Sequence, residues 1–264
     1  MGILNRIYNQ LRDRYWEVIS KRKKRLFNEG KIQIYQYMDE MFFWNKEVYD
    51  KESTSLRPKG LWEGKEEYSL KDYYPQTYEK AYDLVVNHYL RRYDIPPCLM
   101  DIGCATGEWT LIMAPSCRSI DGYEYSQSFV ETAIRKASHI ENVNFYQADA
   151  ITMQLDKVYD GASALGVLMY FSNVEDVSCI LTNIYRSLRE GAYLCTRDTV
   201  HNENMDVLYL FNKKNGYKAA YMRKDLYYEL FKKAGFVMVE ELILGENYWR
   251  RIHSTHIGNI WLKP

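Results

Sequence analysis

What this 264-residue chain lacks narrows its class before any motif is read. Its five cysteines, at positions 98, 104, 117, 179 and 195, form no Cys-x-x-Cys pair and are odd in number. A disulfide frame and a zinc site are therefore not expected, and reduced thiols fit a cytoplasmic protein. No apolar run approaches the roughly 18 residues of a membrane span. The opening Met1–Trp16 is too polar for a secretory signal. Position 6 is Arg where a myristoylation signal carries a hydroxyl residue. Neither sign of charge is in excess, with 35 basic against 35 acidic residues and a formal net charge of zero. That argues against a bulk nucleic-acid partner, although a local basic patch is still allowed. Repeats and low-complexity linkers are absent too.

What is present is a large apolar fraction, 47%, enough for a sizeable core, and 25 tyrosines. Tyrosine suits half-buried walls and binding surfaces, as well as plain packing between helices. The first part of the chain reads as helical, because Leu4, Tyr8, Leu11, Tyr15 and Val18 recur every three to four residues. A basic run, Lys21–Arg25, follows; it offers either an anion-binding patch or a solvated helix face. A second helix is expected over about 31–44. Residues 48–72 hold Pro58, Gly60 and Gly64 and look loop-rich. A third helix, about 76–93, stops at Pro96 and Pro97.

Beyond Pro97 the pattern alternates. Strands are expected at 98–102, 119–125, 143–149, 159–165 and 192–198, with helices at 108–114, 128–138 and 174–188 between them. A last helix, 224–233, precedes two strands at 236–244 and 256–263. Alternation of this kind gives a parallel sheet with helices on both faces. The final two strands have no helix between them and should form an antiparallel hairpin at one edge. The expected fold class is α/β. It is a seven-stranded, mostly parallel sheet with a C-terminal antiparallel hairpin, in a domain over 73–264. Residues 1–72 would be a helical extension.

The first strand ends in the segment LMDIGCATGEWT, Leu99–Thr110. Ligands of open α/β sheets lie beyond the carboxyl ends of the strands. Here a carboxylate, Asp101, is followed by a turn almost stripped of side chains, with Gly103, Ala105 and Gly107. The spacing does not match G-x-G-x-x-G, which lays a pyrophosphate on a helix N-terminus. A carboxylate would repel phosphate there and would suit a ligand with hydroxyls and an ammonium group. Glu124, after the second strand, is placed to take a ribose diol.

This segment resembles motif I of the class I, Rossmann-like S-adenosylmethionine (SAM)-dependent methyltransferases, and the likeness recurs at each strand end over about 73–264. The resemblance implies SAM as cofactor. It implies a cradle from Asp101, Gly103, Cys104, Ala105 and Gly107, with Ala105 standing where the family's middle glycine does. It implies Glu124, beside Tyr125, on the ribose, and Asp149, beside Ala150, at the adenine amino group. It also implies that Leu165, Gly166 and Tyr170 line the methyl group. Cys104 reads as a small residue and not as a nucleophile, since no base accompanies it.

An amine acceptor needs only to be neutral, whereas a hydroxyl acceptor needs a base. Candidate catalytic residues are His201, which titrates near neutrality, Asp198 and Tyr170. A surface-loop histidine and simple packing of Tyr170 are the competing readings. Arg197 and Asp198 are strand neighbours and must face opposite sides. The long connection 199–222 holds His201, Tyr209, Lys213, Lys214, Tyr217 and Tyr221, with Arg223 after it. It is expected to grip an anionic acceptor or to form a short solvated helix. His253 and His256 lack companion ligands, so no metal is expected. The extension 1–72 is expected to cap the active site, and its helices could pair two copies into a homodimer. The expected function is methylation of oxygen or nitrogen on a small soluble metabolite, phosphorylated or sugar-linked. RNA methylation and non-catalytic SAM binding are the alternatives.

Overall fold

The computed structural model describes residues 34–37, 40–43, 75–212, 217–249 and 252–264. The segment before Pro96 is a helix, α1 (Pro75–Asp83), which widens into a π-helical stretch at Leu84–Tyr89 and closes with a 3₁₀ turn at Leu90–Arg92. Pro96 and Pro97 then force the chain out of the helix.

The alternating region supplies β3 (Cys98–Ile102), α2 (Glu108–Met113), β4 (Ser119–Glu124), α3 (Gln127–Lys136) and β5 (Val143–Gln147). It continues with β6 (Tyr159–Leu165), α4 (Val174–Arg186) and β7 (Leu188–His201). The parallel strands are covered on both faces, so β3 reads as a nearly unbroken apolar run with Leu99, Met100 and Ile102 all buried. Helix α4 turns Val177, Ile180, Leu181 and Ile184 inward at helical spacing, and all four are fully buried.

Seven strands lie in the order β5-β4-β3-β6-β7-β11-β10. The first five are parallel. The closing hairpin is β10 (Val237–Trp249) with β11 (Ile252–Leu262), antiparallel to each other, and β11 is antiparallel to β7. Strands β4 and β5 are added on one side of β3 and β6 and β7 on the other, which makes the carboxyl end of β3 the topological switch point. One face of the sheet is packed by α1, α2 and α3 through Leu84, Tyr89, Met113, Val130 and Ile260. The other is packed by α4 and α5 (Lys224–Ala234), where Phe231 stacks on Trp261 with ring centroids 4.0 Å apart.

Two expectations need correction. The connection 199–222 is neither a loop nor a short helix. It is the end of β7 followed by a hairpin, β8 (Val207–Asn212) and β9 (Tyr217–Arg223). The helix expected over 31–44 is replaced in the described part by β1 (Ile34–Tyr37) and β2 (Glu40–Phe43), which pair with each other, and β2 pairs with β8. Both segments carry tyrosine and phenylalanine, residues that fit a pleated surface once a strand edge is on offer. Among the described residues the sheet thus has eleven strands instead of seven. The helix expected in the first turns of the chain and the basic run Lys21–Arg25 lie outside the described residues.

The position of this ribbon follows from pairing alone. A strand has two edges. Strand β11 covers one edge of β7 from Tyr193 to His201. On the other edge β6 runs from Leu188 to Arg197, and β9 takes over at Val200 and His201. The β8–β9 hairpin therefore begins where β6 stops, beyond its carboxyl end, and packs on the turn Leu168–Tyr170 that follows β6.

Candidate active site

The bare turn after β3 owes its shape to backbone conformations that side chains disfavour. Gly103, Ala105 and Gly107 have φ of 68°, 49° and 83°, all in the left-handed region. A methyl on Gly103 would sit 2.6 Å from Val167 Cγ2, so the turn and the segment after β6 are in direct contact there. Ala105 holds a left-handed conformation despite its side chain, at a cost of about 1–2 kcal/mol.

Glu124 locks this turn to the neighbouring strand. Its carboxylate accepts the Ala105 N–H at 3.0 Å through Oε2 and the Ser126 N–H at 2.9 Å through Oε1. Burial pushes its carboxyl up, and the backbone N–H groups of Ser126, Ala105 and Tyr125 pull it back toward the ionised form. Tyr125, next in sequence, is exposed.

Asp101 does something different from what its place at the strand end suggests. It is buried, with Oδ2 accepting from Thr110 Oγ1 at 2.6 Å and Oδ1 from Ser163 Oγ at 2.7 Å. It braces α2 and β6 against β3, and desolvation raises its pKa to about 6. Cys104 is also buried, and burial raises its thiol well above the usual range, so it stays a neutral thiol.

Asp149 follows the end of β5 by two residues. Its Oδ1 accepts the Ile151 N–H at 3.0 Å, which shapes the turn containing Ala150. That turn is pinned from below by Asn183 of α4, whose Nδ2 donates to the carbonyls of Ala150 at 3.0 Å and Ile151 at 2.9 Å. Leu165 ends β6, and Gly166, with φ of 78°, donates its N–H to the Arg197 carbonyl at 2.5 Å. Tyr170 closes the 3₁₀ turn Leu168–Tyr170.

The two proposed bases do not stand in the open. His201 lies on β7, not in a loop, and is fully buried. Its Nδ1 accepts the Glu203 N–H at 3.0 Å, and burial lowers its pKa to about 4. A neutral ring with Nδ1 already engaged and no solvent access is not placed to take a proton from an acceptor. Asp198 faces the opposite side of β7, toward α5. Its Oδ1 accepts the Met169 N–H at 3.1 Å and Oδ2 the Tyr227 hydroxyl at 2.9 Å, and burial raises its pKa to about 7. It holds the Leu168–Tyr170 turn in place, which makes it a positioning residue.

Comparison with known proteins bears on this geometry. Residues 99–191 match the family described as a methyltransferase domain. A demethylmenaquinone methyltransferase of Staphylococcus epidermidis is 23% identical over 103 residues, which is 38% of this chain and 42% of that protein. Phosphoethanolamine N-methyltransferase 1 of Caenorhabditis elegans is 26% identical over 102 residues, 38% of this chain and 21% of that one. The chain thus spans less than half the length of these two relatives. The solved structure of the N-methyltransferase NodS from Bradyrhizobium japonicum, in complex with S-adenosyl-L-homocysteine, superimposes with a TM-score of 0.54 at 13% identity, covering 83% of this chain and 98% of that one.

Residues 99–191 match a methyltransferase domain, and the fold is the one seen in solved SAM-dependent methyltransferases.

In the matched region the turn after β3 leaves bare backbone against which a cofactor can lie. A Cβ at Gly103 or Gly107 would strike Val167 at 2.6 Å or Phe145 at 2.7 Å, so the backbone is held open on the ligand side by close packing beneath it. Trp109 Nε1, buried on the first turn of α2, has no hydrogen-bond acceptor among the described residues. The ring of Trp109 stacks on Tyr78 of α1 with centroids 5.5 Å apart, which brings the start of α1 beside the cradle. Two residues of this region escaped the sequence reading as site members. Asn183 sits mid-helix with no local signature, because its partners are 32 and 33 residues away. His256 was read only against a metal; its Nδ1 instead lies 2.7 Å from Thr199 Oγ1.

Proposed function

We propose that the protein methylates an oxygen or nitrogen of a small soluble molecule, phosphorylated or sugar-linked, with SAM as donor. The observation that carries this reading is Glu124: a buried-edge carboxylate held by two backbone N–H groups over a turn of three left-handed residues. Backbone donors leave part of each oxygen's accepting capacity for a diol. Glu124 would take the ribose hydroxyls, with Tyr125 beside it. The Asp149–Ala150 turn would meet the adenine, and the backbone from Gly103 to Gly107 would lie along the amino-acid part. Leu165 and Gly166 would flank the transferable methyl, with Tyr170 as a wall. SAM brings a methyl already activated on a sulfonium sulfur, so the protein's share is alignment and exclusion of water. Alignment of this kind supplies about 7–11 kcal/mol in favourable cases. The β1-β2-β8-β9 ribbon starts beyond the end of β6 and would wall the acceptor side.

Titration calorimetry with SAM and S-adenosyl-L-homocysteine tests the donor half. Micromolar binding to the wild type, weakened at least tenfold in Glu124→Ala, is expected. Folded wild-type protein that binds neither compound would overturn the reading. Turnover of labelled SAM across a panel of hydroxyl and amine metabolites then tests the acceptor half.

A further inference from the structure

Trp109 is the second residue of α2, directly after the turn that runs from Gly103 to Gly107. A helical side chain leans toward the N-terminus of its own helix, so the indole is carried back over the turn that precedes α2. Tyr78 of α1 stacks on it, with the two ring planes 25° apart. A stacked partner covers the face of a ring and leaves clear the N–H, which lies in the ring plane. Trp109 is 7% exposed, and its Nε1 has no hydrogen-bond acceptor among the described residues. A buried donor without an acceptor is rare in folded proteins, and each one has a cause to be found.

The chemistry of the acceptor is narrow. An indole N–H donates and cannot accept. Bulk water does not reach it, so the acceptor has to be a group bound beside it. The charges at the turn offset each other. Lys136 of α3 donates through Nζ to Thr106 Oγ1 at 2.9 Å, and Glu108 acts electrostatically on both the Lys136 ammonium and the Tyr78 hydroxyl. To this pair of opposite charges the indole adds a neutral donor. In the methyl-transfer reading the amino-acid end of SAM lies along this same backbone. That end carries an ammonium, which only donates, and a carboxylate, which only accepts. Of the two, the carboxylate alone can pair with an indole N–H, and a charged acceptor makes the bond stronger than a neutral one.

We infer that Trp109 is a cofactor-recognition residue whose Nε1–H takes the carboxylate of the methyl donor, so that the site selects adenosyl compounds with a complete amino-acid tail. This deepens the methyl-transfer reading and rests on it. Titration calorimetry with S-adenosyl-L-homocysteine and with its decarboxylated analogue, which keeps the amine, tests it. The wild type is expected to bind the intact compound at least tenfold more tightly. Trp109→Phe keeps an aromatic ring against Tyr78 and removes the N–H. It is expected to lose at least fivefold for S-adenosyl-L-homocysteine and less than twofold for the decarboxylated analogue. Equal losses for both ligands would show that the ring only packs, and would overturn the inference. A second readout needs no variant. In nitrogen-edited NMR spectra of the wild type, the indole N–H with through-space contacts to the Tyr78 ring should move downfield with S-adenosyl-L-homocysteine and stay in place with the analogue. The same response to both ligands would overturn the inference. Wild type that binds neither ligand removes the donor reading itself. Tight binding of S-adenosyl-L-homocysteine without preference for the carboxylate leaves that reading standing and removes only the role of Trp109.

Discussion

Asp198 offers a prediction whose size can be worked from its surroundings. The unfolded chain ionises an aspartate near pH 3.9, whereas burial raises the folded-state value to about 7. Between these values the folded protein holds a proton that the unfolded chain has released. Stability therefore falls as pH rises through that window and levels off above the folded value. Each pKa unit is worth about 1.4 kcal/mol, so burying Asp198 costs roughly 4 kcal/mol at pH 8, where it is ionised, and about 2 kcal/mol at pH 5.5, where it is protonated. Asp198→Asn removes this dependence and keeps the contacts. Its Oδ1 still accepts the Met169 N–H, and its Nδ2 donates to the Tyr227 oxygen, whose proton then turns to Thr196 Oγ1, 3.2 Å away. Urea unfolding of both proteins at pH 5.5 and 8 isolates the effect. The stability advantage of Asp198→Asn should grow by about 2 kcal/mol between the two pH values. Parallel pH profiles for the two proteins would refute burial as the source of the shift, and with it the positioning role assigned to this carboxylate.

Two further predictions concern the cradle. Ala105→Gly should stabilise the protein by about 0.5–1 kcal/mol in urea, since relief of left-handed strain exceeds the added freedom of the unfolded chain. Gly103→Ala, in the same turn, should destabilise by about 2–4 kcal/mol, because it adds strain and drives a methyl toward Val167. Asn183→Leu should cost about 1–3 kcal/mol by leaving the Ala150 and Ile151 carbonyls without their donor. It should also weaken SAM severalfold in calorimetry; unchanged affinity would show that the Asp149–Ala150 turn holds its shape unaided.

The order of elements from β3 onward was legible in the sequence because it rests on local rules. Apolar runs bounded by glycine and proline marked the strands, and helical spacing marked α4. Left-handed turns demanded Gly103 and Gly107. The three strand-end acids were legible as well, since their intervals are set by the length of a strand–helix unit. What those acids do was only half legible. Asp101 and Glu124 look alike in sequence, yet one is turned inward onto Thr110 and Ser163 and the other rests on backbone N–H groups at the cradle. The difference lies in which neighbours the fold delivers, and Ser163 is 62 residues from Asp101.

The same reason governs the rest. Local pattern in the sequence determined the seven-stranded core, its helices and the left-handed turn after β3, because each depends on residues a few positions apart. Only the tertiary structure decided that 207–223 adds two strands, that His201 is buried, and that Arg197, Thr199 and His256 meet on one face. Those outcomes depend on which strand lies at the edge of β7, and strand pairing between distant segments is set by the packing of the whole sheet, which no short window of sequence records.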